Sequence, residues 1–262
     1  MAICNALTTG LSKSCDTNTG GINKIFIGDY QHLERAQISI LGNQVSDMRK
    51  TITDEAQVDT VGQVITISGN FTSQLISGDT IIYEVWTGAG PTLTSNLVKG
   101  TINTVSFATG TTTITLTQTI PTAIPTQLAY LYLAPVFYEV QTNKNVCNFQ
   151  ETVAIDMVAG TTFYNQVLTL VLSRRETTKR SFIEKLVAGQ KQLALIILDS
   201  NGLYWLSGAS EGSYVTSIDG STGTTKADAS GYSIIFTAME PLQAWEVDPT
   251  GGGTNTIGLY LV

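Results

Sequence analysis

Short runs of alternating or β-branched residues, separated by Gly, Asn and Asp, recur along the chain and indicate a mostly β fold. The dipeptide Asn201-Gly202 separates two of these runs and is typical of a tight hairpin turn. The runs that predict strands are 22–30, 64–69, 80–86, 111–117, 128–133, 136–141, 163–172, 193–198, 203–208 and 233–240. We therefore expect a mainly β protein.

The segment "SRRETTKRSFIEKLVAGQ" at 173–190 has a helical pattern instead. Ser173 and Glu176 have the spacing of a capping box, and Gly189 is a typical stop signal. Four apolar residues between these signals recur on one helical face: Phe182, Ile183, Leu186 and Val187. The pattern predicts one flanking α-helix from about residue 174 to residue 188.

The predicted helix also contains the densest positive charge in an acidic chain. The chain has 14 Lys and Arg against 21 Asp and Glu, and six of those cations fall within 174–191. Four cations lie at the N-terminal end of the predicted helix, where the macrodipole disfavours them: Arg174, Arg175, Lys179 and Arg180. They form either a solvated face, with Glu176 and Arg180 as neighbours, or a subunit interface where a partner supplies acids. We take these four residues as the candidate interface.

Residues 51–135 differ in composition from the rest of the chain. Within 56–135 only four residues are charged, and eleven Thr fall between residues 101 and 126. The strand-like runs and Gly-Pro turns in this region are enough for a compact barrel of about five strands. We expect a Thr-rich β-barrel domain, inserted between the early and the later strands of a core.

The overall charge and hydropathy restrict the possible partners. A formal net charge of −7 argues against tightly held nucleic acid, although it does not exclude DNA that passes by. No apolar stretch has the length of a membrane span, so no membrane partner is expected. The start "MAICNALTTG" lacks the basic and apolar regions of a secretion signal, so reduced thiols are expected.

Candidate chemistry is sparse in this sequence. Cys4, Cys15, Cys147 and His32 would suffice for a zinc site by number, but the short paired spacings of such sites are missing. The segment "GASEG" at 208–212 fits the G-x-S-x-G pattern, yet a strand-like run follows it and the only His lies far upstream. We expect a turn between strands there, no metal or cofactor, and no enzymatic activity.

Four segments, in their order along the chain, resemble a family of tailed-bacteriophage structural proteins, the tail tube (major tail) proteins found in phages of Bacteroidetes-type hosts. The segments are "CNALTTGLSKSCDTNTGGINKIFIGDY", "VFYEVQTNKNVCNFQETVAIDMVAGTTFYNQVLTLVLS", "KLVAGQKQLALIILDSNGLYWLSG" and "DASGYSIIFTAMEPLQAWEV". The resemblance covers about 1–48 and 136–247. Residues 51–135 are extra to the family pattern, and "DPTGGGTNTIGLYLV" extends its usual end.

The resemblance implies a β-sandwich or barrel core, formed by 1–50 and 136–262, with one flanking helix. Hexameric rings of such subunits stack into a tail tube around a tape-measure protein, and the genome later passes through. The expected partners are other copies, the tape-measure and tail-end proteins, and DNA in transit without specific binding. The expected location is the virion tail, after assembly from the host cytoplasm, with the domain 51–135 on the tube exterior.

Two other functions stay open from the sequence. One is another virion role, such as a tail terminator, a neck ring or a head decoration protein. The other is a host-surface or glycan-binding module in the inserted domain, for which exposed aromatic side chains would be needed. The aromatic candidates for such a module are Tyr83, Trp86, Phe107, Tyr130 and Tyr132.

Overall fold

Three β layers build the protein, whose structure is a computed structural model. It describes residues 20–41, 44–58, 63–87, 94–118, 129–142, 146–156, 160–188, 190–225, 230–248 and 260–261. The described elements are β1 (Ile22–Asp29), α1 (Tyr30–Arg35), β2 (Ser39–Leu41), β3 (Gln44–Asp47), β4 (Lys50–Val58), β5 (Val64–Ser68), β6 (Thr80–Thr87), β7 (Thr94–Ala108), β8 (Thr111–Leu116), β9 (Ala129–Ala134), β10 (Phe137–Val140), β11 (Asn148–Asp156), β12 (Thr161–Ser173), α2 (Thr177–Ala188), β13 (Leu193–Asp199), β14 (Tyr204–Ser207), β15 (Tyr214–Ser221), β16 (Gly231–Glu240) and β17 (Trp245–Val247).

The mainly β fold is confirmed, and each run that predicted a strand is a strand. The turn after β13 is also confirmed, because Gly202 has a φ of +86° and the Asp199 carboxylate accepts from the N–H groups of Asn201 and Leu203. The structure adds elements that the sequence did not predict, among them β2, β3, β4, β11 and the short helix α1.

The flanking helix is present, but it begins at Thr177 and not at residue 174. Strand β12 continues through Ser173, which pairs with Gly231, so Ser173 is not the N-cap of the helix. Arg174 then turns the chain with a φ of +59°, and its N–H donates to the carbonyl of Ser230. The predicted capping box is therefore wrong: pairing with β16 holds Ser173 in the sheet.

The middle layer is a seven-stranded sheet with the order β10-β1-β13-β14-β17-β3-β2. Its central strands β1 and β13 are apolar on both faces, as expected for a sheet that is covered on both sides. On β13, Ala194 and Ile196 contribute to one buried cluster, whereas Leu195 and Ile197 contribute to another. Each face of this sheet therefore needs its own covering layer.

A four-stranded sheet with the order β11-β12-β16-β15 covers one face. Alternate residues of β12 and β16, such as Leu168, Leu170 and Phe236, are buried against the middle sheet. Helix α2 packs Phe182 and Leu186 against the same cluster. We call this cluster the sandwich core.

A closed barrel covers the opposite face of the middle sheet. Its ring order is β4-β5-β8-β7-β6-β9, and its strands run from Lys50 to Ala134, close to the bounds predicted for the inserted domain. Ile81 and Tyr83 of β6 point into the barrel core, while Ile82 between them packs with Leu33 of α1 in the cluster shared with the middle sheet. We call this shared cluster the joint.

A buried ion pair reinforces the joint. The Asp79 carboxylate, whose side chain is 1% exposed, accepts from the Arg35 guanidinium at 2.6 and 2.9 Å. The same carboxylate accepts from the N–H of Ile76 at 2.8 Å, and His32 Nε2 lies 4.0 Å away. Because α1 supplies Arg35 and the loop before β6 supplies Asp79, the pair ties the barrel to the middle sheet.

We expect Asp79→Asn to lower the free energy of unfolding by about 2–3 kcal/mol. The loss lies below that of a fully buried pair because the Arg35 side chain is 27% exposed. The matched control is Glu139→Gln, which removes the exposed ion pair with Lys24 and should cost less than about 0.5 kcal/mol. Urea unfolding of both variants checks this, and equal losses would contradict the role of Asp79.

Candidate assembly surface

The four-stranded sheet has one face that no other described element buries. Its strand register places one set of side chains on this side, opposite to the sandwich core. We call this set the open face: Asn148, Gln150, Thr152, Ala154, Asp156, Thr161, Phe163, Asn165, Val167, Thr169, Ser233, Ile235, Thr237, Met239, Tyr214, Ser217, Asp219 and Ser221. Each of them is half-buried or exposed.

The open face is almost uncharged. Its carboxylates are Asp156, at the end of β11, and Asp219 on β15, and no Lys or Arg belongs to it. Hydroxyl and amide side chains predominate, and Thr216 and Thr237 are linked by a 3.0 Å hydrogen bond between their hydroxyl oxygens. Since Lys and Arg supply the ionic contacts to phosphates, the described side chains of this face offer no such contact.

The two edges of the same sheet are open. Strand β11 pairs with β12 on one side, strand β15 pairs with β16 on one side, and no further described strand pairs with either. An edge of eight or nine residues presents a row of backbone donors and acceptors that a strand of another chain can pair with.

The four candidate interface residues lie together where β12 gives way to α2, but only two of them belong to the helix. The Lys179 ammonium lies 2.9 Å from a Glu176 carboxylate oxygen and also donates to the Ser173 carbonyl. The Arg180 guanidinium pairs with Glu184 at 2.9 Å, and not with Glu176 as the sequence suggested. Both ion pairs are solvent-exposed, so each contributes little to the stability of the subunit.

The other two candidates precede the helix. The Arg175 guanidinium carbon lies 5.4 Å from the centroid of the Tyr232 ring, within the range of a cation–π contact. Arg174 is exposed, and its charge contributes to lowering the pKa of Glu176. All four cations thus lie at the junction of β12 with α2, and Glu176 and Glu184 are the acids between residues 174 and 185.

The residues considered for a metal site are not brought together. Cys147 is buried and its Sγ accepts from the N–H of Val171, while His32 lies near Asp79 at the joint. Cys4 and Cys15 lie outside the described residues. Within the described part of the chain, no three His, Cys, Asp or Glu residues are placed to hold a metal ion.

No helix among the described residues has the length and apolarity to cross a membrane.

The segment 208–212 is a turn between β14 and β15, as expected. A buried carboxylate, Glu240, accepts from the N–H groups of Ser210 and Glu211 at 2.9 and 3.0 Å. The Gln166 side-chain oxygen accepts from Ser207 Oγ and from the N–H of Gly208. These hydrogen bonds hold the loop against the end of the sandwich and stabilise its conformation.

Two of the aromatic candidates for a glycan site lie together. The rings of Tyr130 and Tyr132 stack with their centroids 6.1 Å apart, and Tyr132 is half-buried under the Arg49 guanidinium. Tyr83 is 2% exposed in the barrel core, and burial raises its pKa to about 12. Phe107 is exposed on another strand, and the side chain of Trp86 lies outside the described residues. The described candidates thus provide one stacked pair, of which Tyr130 is the exposed member.

Comparison with known proteins adds no identification: no protein-family model, no curated protein and no solved structure matches this chain. The open face, the two open edges and the cationic end of the sandwich are the features of the described residues that bear on function.

The Lys179–Glu176 ion pair should be detectable through the pKa of Glu176. The hydrogen bond and the charge of Lys179 lower the pKa of the Glu176 carboxyl below its ordinary 4.5. Because the ammonium stabilises the ionised carboxylate, Lys179→Met should raise this pKa back towards the ordinary value. Carbon-detected NMR titration measures the change, and Arg175→Met is the matched control that should leave this pKa in place.

Proposed function

We propose that this protein is a structural subunit of a phage tail tube, which assembles into stacked rings around a pore for the genome. The observation that carries the proposal is the four-stranded sheet with an almost uncharged open face and two open edges. The resemblance of the sequence to tail tube proteins supplies the context, and hexameric rings are the expected assembly.

The open edges support ring formation. When the β11 edge of one copy meets the β15 edge of the next, the sheet continues from subunit to subunit, and repetition of this contact closes a ring. Such closure removes unpaired strand edges, which soluble proteins otherwise have to protect. Each copy then contributes four strands to a continuous wall.

The composition of the open face supports its position inside the ring. DNA has to slide past the pore wall without being retained, and a wall of hydroxyl and amide groups, whose charges are the acids Asp156 and Asp219, offers no cations to phosphates. The barrel covers the opposite face of the middle sheet. With the open face on the pore, the barrel lies on the outside, as the domain prediction requires.

The cationic end of the sandwich supports a contact between subunits. The cluster of Arg174, Arg175, Lys179 and Arg180 outnumbers its neighbouring acids, so a partner surface with acids completes its electrostatics. The alternative is that the cluster is a solvated face with no subunit contact. The ion pairs of Lys179 with Glu176 and of Arg180 with Glu184 support this alternative. Charge reversal distinguishes the two explanations.

The first test is assembly of the purified protein, followed by negative-stain microscopy and light scattering. We expect rings with a central pore and, under some conditions, tubes. In the variant Arg175→Glu with Lys179→Glu, like charges meet at the contact, so the assembled fraction should fall about ten-fold or more. The melting temperature of the subunit should change little, because both side chains lie at the surface.

A matched control is Thr104→Glu with Ser106→Glu, which adds two acids at exposed positions of strand β7 in the barrel. It should assemble normally. A strictly monomeric wild-type protein at high concentration would overturn the proposed function. Normal assembly of the double variant would instead show that the cluster is a solvated face, and single rings without tubes would favour a terminator, neck or decoration role.

The pore position of the open face is tested by adding cations to it. Thr152→Lys with Met239→Lys introduces two exposed charges on the open face, and duplex DNA should bind assembled rings about ten-fold more tightly, with a steeper salt dependence. The matched control places the same charges on the barrel, as Thr104→Lys with Ser106→Lys. Fluorescence anisotropy measures both, and equal gains would contradict a pore-facing open face.

A further inference from the structure

The chain passes between the middle sheet and the barrel at two connections. It enters the barrel through Met48 and Arg49, which join β3 to β4, and it returns through Pro135 and Val136, which join β9 to β10. Both connections lie beside the joint, because Met48 and Phe137, the first residue of β10, belong to that cluster. A movement of the barrel as a body would have to bend the chain at these two connections.

Residues 260 and 261 contact both connections, and we call these two residues the strap. The Tyr260 carbonyl accepts from the N–H of Phe137 at 2.8 Å, and Leu261 forms a parallel bridge with the same residue. The Tyr260 hydroxyl accepts from the N–H of Met48 at 3.3 Å and donates to Asp47 Oδ1 at 2.6 Å. The side chain of Tyr260 thus binds one connection, and its backbone binds the end of the other.

Groups of four residues bind the strap, and we call them the socket: Asp47, Met48, Lys99 and Phe137. Tyr260 is 3% exposed and packs in the joint together with Ile82 of the barrel. Burial, and then the hydrogen bond to Asp47, raise the pKa of the Tyr260 phenol above its ordinary 10.0, so the hydroxyl stays a hydrogen-bond donor. Lys99 Nζ of β7 donates to the Leu261 carbonyl at 3.4 Å. The strap therefore contacts the middle sheet and the barrel at once.

A charge pair in the socket extends these contacts towards the barrel. The carboxylate of Asp47 that accepts from Tyr260 also accepts from Arg49 Nε at 3.1 Å, and the Arg49 side chain is 8% exposed. The Arg49 guanidinium carbon lies 4.2 Å from the centroid of the Tyr132 ring on β9. Loss of Tyr260 would therefore loosen a connected set of contacts that begins in the middle sheet and ends on a barrel strand.

We propose that the strap fixes the barrel on the middle sheet, and that its socket is a binding site for an extended peptide in which a tyrosine precedes an apolar residue. The ion pair of Arg35 with Asp79 ties the barrel to α1 at one point, about which a body can still turn. The strap adds contacts at both connections and removes that freedom. When the strap leaves the socket, the barrel turns at the connections while each layer stays folded. This inference concerns the single subunit and goes beyond the proposed function.

The chemistry of the socket explains the preference for tyrosine. An apolar surface alone would accept a phenylalanine equally well, but Asp47 provides an acceptor and Met48 a donor at the phenol oxygen. A phenylalanine would leave both groups without this partner. The N–H of Phe137 and the Lys99 ammonium donate to main-chain carbonyls of the strap, so they set the direction of the peptide and not its sequence.

Hydrogen exchange of the full chain tests the strap one contact at a time. In Tyr260→Ala, the amides of Met48 and Phe137 should exchange about a hundred-fold faster, because the strap leaves its socket. In Tyr260→Phe, the Met48 amide alone should exchange about ten-fold faster, since the main-chain carbonyl that binds Phe137 is kept. The matched control is Tyr138→Ala, which removes a 61% exposed tyrosine of β10 and should leave both amides unchanged.

A distance between two spin labels reports the position of the barrel. The background is Cys4→Ser with Cys15→Ser, in which the remaining Cys147 is buried. Phe107→Cys places one label on the barrel, and Leu203→Cys places the other on the turn before β14. Both positions are exposed, so the labels themselves should not disturb the joint.

The distance distribution should depend on the strap. With Tyr260 in place one narrow distribution is expected, whereas Tyr260→Ala should widen it about two-fold or more, because the barrel turns. The peptide TNTIGLYLV, which has the sequence of residues 254–262, should restore the narrow distribution in that variant. The same peptide with Tyr260→Phe should need about ten-fold higher concentration, because it lacks the phenol oxygen.

Protection of the barrel interior separates a turning barrel from an unfolded one. Ile65 and Ile114 are 0% exposed and lie opposite each other in the barrel core, and their amides should stay protected in Tyr260→Ala. Loss of that protection, an unchanged distance distribution, or a peptide that restores nothing would each overturn the inference. The presence or absence of rings has no bearing on it, so the proposed function is tested separately.

Discussion

The burial of the middle sheet on both faces is the constraint on which the rest of the structure depends. Strands β1 and β13 carry apolar side chains on both sides, so the sheet is stable only between two covering layers. The four-stranded sheet and α2 supply one layer, and the barrel with α1 supplies the other. The open face of the four-stranded sheet is then left for contacts with other molecules.

The sequence predicted strands and helices correctly where apolar residues recur on the face that the fold buries. Strand β11 was not predicted because it is mostly exposed and only Phe149 packs against the sandwich core. The predicted start of α2 was wrong because a local capping pattern competed with the long-range pairing of Ser173 with Gly231. Sequence spacing does not reveal such a pairing. The order of strands around the barrel also depends on such long-range pairing.

The candidate site was predictable only in part. Charge density alone identified the cationic cluster, but its partners within the chain, Glu176 for Lys179 and Glu184 for Arg180, depend on where the helix begins. The open face had no comparable signal: Asn165 and Thr169 are ordinary polar residues of a strand until the register aligns them with residues of β11 and β16.

The position of Ile82 in the joint has a consequence for the evolution of chains with this fold. A relative without the barrel would expose the joint residues Leu33 and Met48, which are 1% exposed here. Insertion or loss of the barrel therefore requires accompanying substitutions in α1 and around residue 48, so that polar side chains replace apolar ones where no barrel is present. The joint residues should thus be apolar in chains that carry the barrel and polar in chains that do not.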